Sequence, residues 1–132
     1  MRTSAWSHLP NAAHIDTVLE DVRARPEVWN AAQGAAWEIA QGAAWDAAWD
    51  AAWEIAQGAA RDTAWDTAWD AAQDLTRGAA LDAVCALIAW DDSAALLDLT
   101  PDALRTIIST CDGDVKHQAV LLLPAVIARS TP

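Results

Sequence analysis

Trp45, Trp49 and Trp53 follow one another at four-residue spacing, Trp65 and Trp69 resume the series, and Arg61 and Arg77 stand in the same row. Indole faces beside guanidinium groups are suited to a planar anion such as a nucleotide. A nucleobase stacks on tryptophan at about 1–3 kcal/mol per base. Its phosphates would take arginine, lysine or a helix N-terminus. Sequestration of that kind needs no catalytic residue. Arg105, Lys116, His117 and Arg129 add cations late in the chain. The same tryptophans also have a plainer use. They bring large apolar area to a core or a subunit interface, and alanines between them let neighbouring helices approach closely.

Other chemistries are poorly served. His8, His14, His117, Cys85 and Cys111 lack the CxxC or HxxxH spacing of a metal site. Ser4, Ser7, Ser93 and Ser109 lie in no motif that would pair a nucleophile with a base. No phosphate-binding glycine loop is present, since the glycines recur as "QGAA", which belongs to the repeat. The "DGD" at Asp112 to Asp114 lacks the remaining ligands of a calcium loop and reads as a turn. No enzyme, cofactor or metal is therefore expected. A row of carboxylates (Asp46, Asp50, Glu54, Asp62, Asp66, Asp70, Asp74) has two uses. Four-residue steps on a helix rise about 6 Å, near the phosphate spacing of a nucleic-acid strand, so the row could mimic DNA for a basic protein. Alternatively it keeps an Ala/Trp tract soluble.

These residues must be positioned by helices. From Trp29 to about Val84 the chain is a four-residue repeat with Ala in two of its positions, and a longer period of 16 relates "IAQGAAWDAAWDAAWE" to "IAQGAARDTAWDTAWD". Alanine is the best helix former. Each four-residue step turns an α-helix by about 400°, so the tryptophan row drifts by about 40° per step. The row would stay buried along a right-handed supercoil, or the tract must break into shorter helices. One helix of 55 residues would be about 80 Å long, too long for a globule of this size. Gly58 and Gly78 are the expected breaks, and a homo-oligomer is the other expected solution. Before the tract, Asn11 is placed to cap a helix with Ile15, Val18, Leu19 and Val22 on one stripe, and Pro26 to open the next. After it, "LDAVCALIAWDDSAALLDL" reads as apolar helix, Thr100 caps a helix bearing Leu104, Ile107 and Ile108, and the last helix should kink or stop at Pro124.

The composition agrees. Over 132 residues the chain is 54% hydrophobic with nine Trp, no Phe and no Tyr, which suits one folded domain. Its divisions are an N-terminal arm and helix to residue 26, tetrad-repeat helices over 27–84 and C-terminal helices over 85–132. The class is all-α, a helical bundle. A net charge of −11 repels nucleic acid and anionic membranes, and favours basic partners. No secretory signal and no run of 18 apolar residues is seen, so free thiols and a cytoplasmic location are expected.

The segments "LPNAAHIDTVLEDVRARPEVWNAA", "AAWDAAWD", "ALIAWDDSAALLDL" and "HQAVLLLPAVIA" resemble a group of Trp/Ala/Asp-rich proteins of bacteriophages and GC-rich bacteria. The resemblance covers most of the chain and implies a phage-type accessory protein of the host cytoplasm, for which sequestering a nucleotide signal would be an anti-defence role. The group brings no established activity or functional residues. The expected function is thus binding without catalysis: a small nucleotide-like ligand first, a basic host protein second, and a purely structural oligomer third. Replication slippage of a twelve-base unit would also keep the four-residue register, so part of the tract could be tolerated filler.

Overall fold

A computed structural model describes residues 6, 7, 9–40, 42–56, 63–76 and 78–131, excluding the side chains of 63–66 and 75. The described residues are helical and contain no strand, so the all-α class holds. The order is α1 (Ala12–Ala24), α2 (Pro26–Ile39), α3 (Gly42–Ala56), α4 (Thr63–Leu75), α5 (Gly78–Ala89), a 3₁₀ helix (Ser93–Asp98), α6 (Pro101–Thr110) and α7 (Asp114–Ser130). Two helices form the centre. α7 packs against α2, α3, α5, α6 and the 3₁₀ helix, and α5 packs against α1, α2, α3, α4 and α7. Their sequences explain the position. α5 is apolar on nearly every face, as is α7 from Ala119 to Val126, and a helix with no polar face belongs inside.

The repeat tract breaks at one place beyond those expected. α2 ends as Ala40 leaves the helix with φ −114° and ψ 111°, and α3 begins at Gly42, a repeat glycine not among the expected breaks. This break lets both α2 and α3 lie on α7. α3 is described to Ala56 and α4 from Thr63, so the expected break at Gly58 lies outside the described residues. A further break comes where expected, at Gly78. Its φ is +63°, a left-handed conformation that favours glycine.

Breaking resolves the drift of the tryptophan row. The alanines one position ahead of that row (Ala32, Ala36 and Ala40, then Ala48, Ala52 and Ala56, then Ala68 and Ala72) are buried. They face the core, where a single methyl lets α2 and α3 come close to α7. The tryptophans lie about 100° further round and drift outward by about 40° per step. In α3, Trp45 is 3% exposed, Trp49 is partly buried and Trp53 is 52% exposed. α2 repeats the pattern sixteen residues earlier, with Trp29 at 3% and Trp37 at 47%. In α4, Trp69 is again buried.

The flanking helices follow the sequence with two corrections. Ile15, Val18 and Leu19 of α1 are buried and Val22 is partly so. Pro26 opens α2, and the Thr100 hydroxyl accepts from Ala103 N at 3.1 Å to cap α6. Asn11 stands at the start of α1, but its side chain caps nothing there. Instead Nδ2 donates to the carbonyls of Leu87 at 2.9 Å and Trp90 at 3.1 Å. Those carbonyls lie at the end of a buried helix, where side chains supply donors. Replacing Asn11 with alanine removes a donor from each, although Trp90 O keeps Ser93 N at 3.1 Å and Ser93 Oγ at 2.8 Å. Urea denaturation should show a loss of about 1–3 kcal/mol. Pro124 does not stop α7, which runs through to Ser130 with the proline buried inside it.

Candidate functional site

The expected site residues separate into two aromatic clusters. Trp45 stacks on Trp37 with ring centroids 5.8 Å apart and planes 11° from parallel. Trp49 meets Trp69 edge-on at 5.6 Å and 88°. Its Nε1 donates to Asp82 Oδ1 at 2.7 Å, tying α3 to α5. Trp53 stands half in solvent. Arg61, Arg77 and the Trp65 side chain lie outside the described residues. The structure thus joins Trp49 with Trp69 and gives Trp45 a different stacking partner.

Asp82 was not anticipated. Desolvation by the surrounding apolar side chains pushes its carboxyl up to about 7, and the Trp49 hydrogen bond only partly offsets this. One turn on, burial pushes the Cys85 thiol up, and the nearby Asp82 carboxylate adds to the effect. Cys85 and Cys111 are both free. Among the described residues, no three His, Cys, Asp or Glu side chains are grouped to hold a metal ion.

A cationic cleft lies elsewhere, between α1, the start of α2, the 3₁₀ helix and the end of α7. It has a volume of about 480 Å³ and is lined by His14, Thr17, Val18, Asp21, Arg25, Trp29, Leu97 and Arg129. That is the size of a small-molecule site. His14, Thr17, Val18 and Asp21 come from one face of α1, at i, i+3, i+4 and i+7. Arg25 occupies the link to α2 and fixes the geometry. Its Nε and Nη2 grip the Asp21 carboxylate at 2.8 Å each. Its remaining donors reach Ala128 O at 3.0 Å and Thr131 O at 2.6 Å, capping the C-terminus of α7. Trp29 Nε1 donates to Asp21 Oδ2 at 2.8 Å.

Asp21 therefore holds the floor of the cleft together. The Arg25 hydrogen bond is the main influence that keeps its carboxyl below the usual range, and burial opposes it. Trp29, with the charges of Arg25 and Arg129, adds to the lowering. The same contact raises the Arg25 guanidinium. Arg129, exposed on the last turn of α7, makes no ion pair among the described residues. It leaves a guanidinium facing the cleft. Two guanidinium groups against one carboxylate make a locally positive cleft on a chain of net charge −11.

Part of this was legible: the polar spacing of α1 and the Asp21–Arg25 pair at i, i+4 are sequence features. The approach of Arg129 from a helix more than a hundred residues away was not. Among the described residues, no helix is long and apolar enough to cross a membrane. No family model, no curated protein and no solved structure matches the chain.

Proposed function

We propose that the protein is a non-enzymatic binding protein that takes a small, nucleotide-like anion in the cleft between α1, α2 and the end of α7. The observation that carries this reading is the convergence of Arg25, Arg129 and His14 on one cleft in an otherwise acidic chain. In it, Arg129 faces the anion, and Arg25 is held rigid by Asp21. Val18 and Leu97 supply an apolar wall for a base or similar flat group. In the setting implied by the resemblance to phage proteins, such a site would remove a nucleotide signal from the cytoplasm without chemistry.

Native mass spectrometry tests this on protein made in cells with active nucleotide signalling. The expected spectrum is a discrete species carrying a nucleotide-sized extra mass, and the same spectrum reads the subunit count. Arg129 is exposed, so Arg129→Gln should fold normally. It should weaken binding of an added mononucleotide by roughly tenfold, the effect of one charge-assisted contact. Equal binding by wild type and the variant would place the ligand elsewhere. No binding by either would remove the reading.

A further inference from the structure

We propose that the outer face of α3 formed by Asp46, Trp49, Asp50 and Trp53 is a docking surface for an arginine-bearing segment of another protein. The four residues lie at i, i+3, i+4 and i+7 and so share one face of the helix. Asp46, Asp50 and Trp53 are exposed, and Trp53 keeps 52% of its surface in water. Trp49 forms the inner edge of the face. Its ring is fixed from behind by Asp82 and by the edge of Trp69, so it presents a set orientation rather than a mobile one. Trp37, 47% exposed and stacked on Trp45, extends the aromatic surface at the α2 end.

Charge complementarity selects the partner. From residue 26 to residue 60 the chain has no Lys, Arg or His, while Glu27, Glu38, Asp46, Asp50 and Glu54 carry negative charge. Neither α2 nor α3 can therefore supply a cation of its own to this face. The corresponding positions of α2 are Asn30, Gln33, Gly34 and Trp37, so α2 lacks this alternation of carboxylate and indole. A guanidinium suits such a surface better than an ammonium does. It lies flat on an indole face and pairs in-plane with a carboxylate.

Calorimetry on the full chain with hexa-arginine and hexa-lysine peptides of equal charge tests the proposal. Hexa-arginine should bind roughly tenfold tighter than hexa-lysine. Trp53→Ala should remove that preference, and Asp46→Asn with Asp50→Asn should weaken hexa-arginine by roughly tenfold. Asp112→Asn with Asp114→Asn, which removes two exposed charges outside this face, should change nothing. Circular dichroism checks that each variant keeps its helix content. Equal binding of the two peptides, unchanged by Trp53→Ala, would reduce the surface to general acidity and overturn the proposal. So would a self-associated protein that Trp53→Ala dissociates in sedimentation, since the occupant would then be a second copy. Absence of binding to either peptide would overturn it as well.

Discussion

Replacing Trp45 with alanine should lower the unfolding free energy by about 3 kcal/mol, while Trp53→Ala, two steps further along the same row, should change it by less than about 1 kcal/mol. Both residues stand in one helix, in one repeat position, each after an alanine and before a carboxylate. They differ in rotational phase. Trp45 is 3% exposed and Trp53 is 52% exposed. Truncating a buried tryptophan costs about 3–5 kcal/mol through lost transfer energy and the cavity left behind. Trp45 belongs at the low end of that range because its Nε1 has no hydrogen-bond partner among the described residues, and removing an unpaired buried donor returns part of the loss. Urea denaturation of the two variants measures the difference directly. Near-equal losses would mean that Trp53 is covered in solution, and that the phase argument fails for α3.

Asp82 supplies the second large effect. Its carboxyl titrates near 7 in the folded chain against 3.8 for an ordinary aspartate. Between those values the folded state holds a proton that the unfolded state has released. Stability is therefore greatest below about pH 4 for this group, falls as pH rises, and levels off above pH 7. A shift of that size corresponds to about 4 kcal/mol in all, and to about 3 kcal/mol between pH 5 and pH 8. Asp82→Asn removes the titration but keeps an oxygen to accept from Trp49. The variant should lose most of the stability difference between pH 5 and pH 8 that the wild type shows. Taking the difference between the two proteins cancels the general repulsion of an acidic chain and the opposite trend from Asp21, whose lowered carboxyl acts at more acidic pH. Parallel pH profiles would show that water or a cation reaches Asp82 in solution.

The helical class and most helix starts follow from local sequence alone. Alanine-rich tetrads leave no strand pattern, Pro26 and Pro101 suit a first turn, and the Thr100 side chain is placed to cap α6. These are local effects, fixed by a few neighbouring residues. The drift of the tryptophan row was legible too, since it follows from the mismatch between four residues and one helical turn. What the sequence left open was which point of the drift faces inward. That phase is set by where each helix touches α7, and so by breaks such as the one before Gly42, whose QGAA context is the same as that of Gly34 inside an unbroken α2. The same holds for Asn11. Its type signals a cap, but its side chain turns to the carbonyls at the end of α5, because a buried helix end outweighs an exposed one. The cleft depended on tertiary structure most of all. His14 and Asp21 share a face of α1 by local geometry, but only packing brings Arg129 across from the end of α7. Only packing buries Asp82 against Trp49, and its charge state depends on that burial and on no neighbour in sequence.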